Sequence, residues 1–301
     1  MSFLPKSRSR IRREASDWVS RLANDATEED RAAFAHWREA DPRHAEVYDR
    51  IAAIWNQAGQ LSRPYAGTVR TAATSERPRA FGFALAASLA AAVGEIREIG
   101  LPDGSRVTLD SGSRVEAAFA KSERKLTLRE GRARFQVAHD GRPFVVRAGS
   151  SEVVATGTLF DVSLLGGRTT VVLLQGSVEV RAAGSRQTPE PKVERLKPGQ
   201  KLILLGSAPA EPRPATRGDT VWPARMLEFN NNRLDEAVAV ANRYSKVQLK
   251  LGDERIGGLR VSGAFRAGDS AGLARSLAAA FDLRIITQPD GNLLLVDSKQ
   301  G

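Results

Sequence analysis

The sequence predicts a multidomain chain: a small all-α bundle, a short apolar helix, an all-β domain and a C-terminal α+β domain. Three observations carry this. Apolar residues recur at helical spacing up to about residue 62, at alternate positions from Glu95 to about Leu205, and in both patterns beyond. Turn signals come roughly every ten residues through the middle region, as in short-stranded sandwiches and barrel-like domains. The length of 301 residues suits two or three domains.

Residues 1–62 read as three amphipathic helices. Ile11, Ala15, Trp18, Val19 and Leu22 lie on one face of the first. Thr27, with Asp30 three residues on, is the expected N-cap of the second, which carries Phe34 and Trp37 inward and stops before Pro42. Asp41 then caps a third helix with Pro42 in its first turn and Val47, Ile51, Ile54, Trp55 and Leu61 as its stripe. Such a bundle buries little surface, so its aromatics serve either as its own core or as a partner's contact.

Residues 63–79, rich in Ser, Thr, Ala, Pro and Arg, read as a linker. The run Ala80–Gly94 follows, 15 residues without charge. As a helix it reaches about 22 Å, against a hydrocarbon core of about 30 Å. Its apolar side chains contribute only about −2 kcal/mol to insertion. By itself it is equally a buried helix and a crossing. The flanks favour a crossing: Arg63, Arg70, Arg77 and Arg79 precede it, and Glu95, Glu98 and Asp103 follow, a bias that keeps the N-terminal side cytoplasmic. The segment is expected to be a transmembrane helix, and the basic, polar N-terminus lacks the apolar region of a signal peptide.

Residues 95–206 alternate through Ile99, Leu101, Val107 and Leu109, with turns at Pro102-Asp103-Gly104 and Ser111-Gly112-Ser113. Residues 207–223 read as a second linker. In 224–298 the order β-α-β-β-α-β is expected, with Asn232 capping the first helix and a turn at Asp290-Gly291.

Composition narrows the function. An apolar share of 42% supports real cores, and the absence of cysteine excludes disulfides and thiolate zinc sites. The net charge of +10 is spread among Asp and Glu, as on a solvated surface, and no nucleic-acid motif accompanies it. His36, His44 and His139 are scattered without a carboxylate cluster, so no metal site is expected, and no motif suggests a cofactor or nucleotide.

The stretches "LPDGSRVTLDSGSRV", "REGRARFQVAHDGRPFVVRAGSSEVVATGTLFDVS", "VVLLQGSVEV" and "LKPGQKL" resemble, in order and spacing, the FecR family of anti-sigma factors and sigma regulators in bacterial cell-surface signalling. The N-terminal helices resemble that family's cytoplasmic domain. The stretch from "LEFNNNRLDEAVAVANRYSKVQLKL" onward is similar to the secretin/TonB short N-terminal domain. The resemblance implies a single-pass inner-membrane protein, with its N-terminus cytoplasmic and its C-terminal domains periplasmic. Its cytoplasmic helices would bind an extracytoplasmic-function (ECF) sigma factor. Its periplasmic part would sense the signalling domain of a TonB-dependent outer-membrane receptor, usually for an iron-siderophore, and regulated proteolysis would release the sigma factor.

Two sites follow from these readings. Trp18, Leu22, Phe34, Trp37 and Trp55 are the expected sigma-binding residues, with a role as bundle core as the alternative. Gly157-Thr158 is expected inside a strand, where glycine ordinarily marks a bulge. The family implies self-cleavage there, the Thr158 hydroxyl attacking the Gly157 carbonyl; no other enzymatic activity is expected. Two other functions remain open: an envelope-associated β-rich binding module that does not act on a sigma factor, and a DNA-binding regulator suggested by charge alone.

Overall fold

The computed structural model describes residues 10–11, 14–15, 18, 22, 27–60, 85–182, 192–205, 208–209 and 211–298. The chain forms two compact units, residues 1–66 with 225–301, and residues 67–224.

In the first unit, α1 (Glu28–Glu39) starts at the expected capping box: the Thr27 side chain accepts from the Asp30 N–H at 3.1 Å, and Asp30 accepts from the Thr27 N–H at 3.1 Å. Helix α2 (Pro42–Gln60) begins at Pro42, and Asp41 accepts from the Arg43 N–H at 2.9 Å. Arg10, Ile11, Glu14, Ala15, Trp18 and Leu22 are helical too. Ile11 and Ala15 are buried, with Trp37, Val47, Tyr48 and Ala52 packed around Ala15.

The second unit is all-β, as expected, but it begins earlier. Strand β1 (Leu85–Ala90) pairs antiparallel with β4 (Arg114–Phe119), from Leu85↔Phe119 to Ala90↔Arg114. The expected helix over 80–94 is therefore a strand at 85–90; residues 80–84 lie outside the described residues. All six residues enter the antiparallel ladder with β4, so tertiary pairing overrides the helical preference of alanine. Among the described residues no helix is long and apolar enough to cross a membrane.

Strand β5 (Arg124–Gln136) organises the unit. Its first half pairs with β4 and with β6 (Phe144–Ala148), its second half with β3 (Arg106–Leu109) and β8 (Leu159–Leu165). The buried phase changes between the halves: Arg124, Leu126 and Leu128 point inward, then Gly131, Ala133 and Phe135. One extra residue at the Arg114/Val115 irregularity makes this switch. Gly131, at φ +86°, makes the bend, and any Cβ there would collide with Ser113.

The first sheet continues through β6 to β7 (Ser151–Ala155), β10 (Val178–Ala182) and β11 (Lys192–Leu196). The second joins β2 (Arg97–Gly100), β3, β5, β8, β9 (Arg168–Gln175) and β12 (Gln200–Leu205), with β13 (Ala208–Pro209) and β14 (Arg213–Pro214) on β12. Inward residues of both sheets form one core around Phe135, Phe144 and Phe160, with ring centroids 6.0 and 5.3 Å apart.

Residues 207–223, read as a linker, include β13, β14 and the short helix α3 (Arg217–Thr220), and lead to Trp222, which is buried. The Trp222 indole N–H donates to Asp161 at 2.7 Å, while the guanidinium groups of Arg132 and Arg134 lie 4.6 and 5.5 Å from its ring.

The C-terminal part of the first unit is the expected α+β arrangement with an added short helix and a second strand after the last helix: β15 (Met226–Arg233), α4 (Leu234–Asn242), β16 (Leu249–Leu251), α5 (Glu254–Gly257), β17 (Arg260–Arg266), α6 (Ser270–Phe281), β18 (Leu283–Thr287) and β19 (Leu293–Asp297). Its strands form two sheets, β15-β17 and β16-β19-β18. The cap position of α4 is Arg233, not Asn232; the Asn232 side chain instead accepts from the Asn230 N–H at 2.9 Å.

Candidate functional site

Three of the five expected sigma-binding residues come together. Trp18, Phe34 and Trp37 form a cluster with ring centroids 5.7 to 6.3 Å apart, each half-buried. Leu22 is helical and half-buried, and Trp55 lies in α2 with its side chain outside the described residues. Two further rings complete the cluster. His44 stacks on Trp37 at 4.4 Å and 5°, and Tyr48 meets Phe34 at 4.5 Å. Their spacing of four along α2 was the sequence signal for both.

Polar bonds fix Trp37 further. Its indole N–H donates to Glu14 at 2.8 Å, and its carbonyl receives His44 Nδ1 at 2.6 Å. A carbonyl only accepts, so Nδ1 carries the proton. His44 is 2% exposed, and its Nε2 has no partner among the described residues. Trp37 thus pins the helices to one another as core does.

The second site lies in the β unit. Gly157-Thr158 is not inside a strand: it makes the connection from β7 to β8, and the ladder shifts register at Leu159/Phe160. Gly157 has φ +126°, which L side chains rarely adopt. A Cβ there would sit 2.9 Å from His139 Nδ1. The Thr158 hydroxyl is buried and has no hydrogen-bond partner among the described residues, which costs about 1–3 kcal/mol. The Thr158 methyl packs on Gly176, where an added Cβ would lie 2.7 Å from it.

Both sides of this connection are held. The Val137 N–H donates to the Thr158 carbonyl at 2.9 Å, and His139 Nδ1 donates to the Thr156 carbonyl at 2.6 Å. The loop carrying His139 is anchored from beneath by Arg124, whose side chain is fully buried. Arg124 donates to Asp103 at 2.8 Å, to the Ala138 carbonyl at 2.8 Å and to the Arg142 carbonyl at 2.6 Å. Asp103 also accepts from the Ser105 hydroxyl at 2.6 Å, and that hydroxyl accepts from the Ala138 N–H at 2.9 Å. The sequence turn Asp103-Gly104-Ser105 is therefore part of the support under Gly157. At the loop's outer end, a hydrogen bond from the Arg142 side chain holds the Asp140 carboxyl below the usual carboxylate range.

Among the described residues no group of His, Asp or Glu is arranged to hold a metal ion.

Comparison with known proteins agrees with this architecture. Residues 87–179 match the FecR protein family, and residues 13–54 match a domain of unknown function, DUF4880. No curated protein matches the chain. Two crystal structures of a protein from Parabacteroides distasonis ATCC 8503, described as a putative anti-sigma factor, share the fold at 21% identity. Each superposes with a TM-score of 0.59 over 71% of this chain and 100% of its own. Residues 87–179 of the β unit are thus a FecR protein domain, with the DUF4880 domain ahead of it.

Proposed function

We propose that the chain is an anti-sigma factor whose N-terminal helices hold an ECF sigma factor. The observation that carries this is the tandem of a DUF4880 match over 13–54 and a FecR match over 87–179. The fold likeness to a protein described as an anti-sigma factor supports it. Because Trp18, Phe34 and Trp37 pack on one another, the sigma factor meets their exposed edges and the outer faces of the helices. The test is co-purification of the full chain with its co-expressed ECF sigma factor, alongside a promoter reporter. Retention of the sigma factor and loss of transcription are expected, both abolished by deleting residues 1–62. A chain that retains no sigma factor refutes the reading.

The input we assign is the signalling domain of a TonB-dependent outer-membrane receptor, in iron-siderophore uptake. The likeness of residues 224–298 to the secretin/TonB short N-terminal domain supports it, and a two-hybrid assay against candidate receptor domains tests it.

The inner-membrane placement, N-terminus inside and β domains outside, rests on the charge asymmetry around residues 80–94 and on the family likeness. It and the paired strand β1 are mutually exclusive uses of Leu85–Ala90. A crossing would also part residues 1–66 from 225–301, which form one compact unit here. Protease added to intact spheroplasts separates the cases: digestion of the β unit supports a crossing, and protection refutes it.

We further propose self-cleavage between Gly157 and Thr158. The Thr158 hydroxyl adds to the Gly157 carbonyl carbon, the C–N bond breaks, and the hydroxyl proton passes to the departing nitrogen. Water then opens the ester, leaving a Gly157 carboxylate and a Thr158 amine with its hydroxyl restored. The buried hydroxyl without a partner and the glycine-only backbone support this. Two fragments on a denaturing gel, absent in Thr158→Ala, are expected.

A further inference from the structure

The ladder between β5 and β8 ends at the pair Gln136↔Leu159. Continued by register, it would set 137 opposite 158, 138 opposite 157 and 139 opposite 156. Only the first of these keeps its backbone bond, from the Val137 N–H to the Thr158 carbonyl. At 138 the backbone is diverted, its N–H to Ser105 and its carbonyl to Arg124. At 139 a side chain takes over: the imidazole Nδ1–H donates to the Thr156 carbonyl at 2.6 Å. The same nitrogen lies where a side chain at residue 157 would project.

From this we infer that His139 is the positioning residue for rupture of the Gly157–Thr158 bond, an assignment that rests on the self-cleavage reading. The imidazole fixes the peptide plane before Gly157, and Val137 fixes the carbonyl after Thr158. The torsions between these two points are therefore held, while Gly176 against the Thr158 methyl limits where the hydroxyl can turn. His139 touches none of the reacting atoms; it keeps the nucleophile and the carbonyl carbon within one approach geometry, on which rates of intramolecular attack depend steeply.

The experiment follows the purified full chain, with protease inhibitors, as wild type, His139→Ala and His139→Asn. Asn places an amide N–H where Nδ1 stands but cannot shuttle a proton. Wild type is expected to divide into residues 1–157 and 158–301. His139→Ala should do so about tenfold to a hundredfold more slowly, and His139→Asn within about threefold of wild type. Far-ultraviolet circular dichroism and melting temperature are measured in parallel. Should the alanine variant fail to fold, the asparagine variant decides alone: folded and cutting upholds the assignment, folded and uncut overturns it. A folded His139→Ala that cuts at the wild-type rate overturns the role of His139 and leaves self-cleavage standing. Wild type that stays whole refutes the cleavage reading, and the assignment falls with it.

Discussion

Arg124 is the most consequential single side chain of the β unit, and Arg124→Met measures it. Methionine fills much of the same volume but supplies no donor. Asp103, with its side chain 1% exposed, would lose its buried cation, and the carbonyls of Ala138 and Arg142 would lose theirs. Breaking a buried ion pair by removing one partner costs about 3–5 kcal/mol. Spread over an unfolding entropy of about 2.1 cal/mol/K per residue for residues 67–224, about 4 kcal/mol lowers the melting temperature by roughly 12 °C. Differential scanning calorimetry of the full chain should show the transition of this unit moving by that amount. Arg124→Met/Asp103→Asn, which removes the stranded charge and keeps a group to meet Ser105, should recover more than half of the loss. A shift under about 3 °C in the single variant would refute the reasoning, because the carboxylate would then have found water.

Three other outcomes are expected. Trp37→Ala should remove the centre of the aromatic cluster, costing about 2 kcal/mol or more, so that the helical circular-dichroism signal and sigma binding fall together; binding lost with the helices intact would move Trp37 to the interface. Gly157→Ala should destabilise the β unit by about 2–3 kcal/mol in a denaturant titration, since alanine must adopt φ +126° and displace His139. At Asp41, the Arg43 side-chain hydrogen bond, and then that of the Arg43 N–H, bring the carboxyl down from 3.8 to about 2. A folded value below the unfolded one stabilises above the ordinary carboxylate range and is lost as pH falls from 3.8 towards about 2. Acid titration by circular dichroism should accordingly show a small loss of helical signal in that window, and Asp41→Asn should lack it.

Much of the chain was legible because its signals are local. The Thr27–Asp30 box, Asp41-Pro42 and the alternation after Glu95 depend only on neighbouring residues, and the structure agrees at each. The strand within the apolar run was not legible because Ala-rich sequence has no period of its own; its pairing partner, β4, lies some thirty residues on. Trp222 was hidden in a proline-rich tract, its partners Asp161, Arg132 and Arg134 being remote in sequence. At the candidate cleavage site, Gly157-Thr158 could be found from resemblance. The loop that grips it could not, since nothing in "VAHDGRP" shows that a ladder ends there and a histidine continues it.

The sharing of strands across the β unit sets what a nick between β7 and β8 can accomplish. β8 is stitched to β5 along six residue pairs and β10 to β7 along five, so each fragment would remain clasped to the other by two seams. Native gel filtration would then show a single particle of undiminished size. What the cut would remove is tensile continuity: a pull on the chain would no longer travel through a covalent backbone but would have to shear those seams apart.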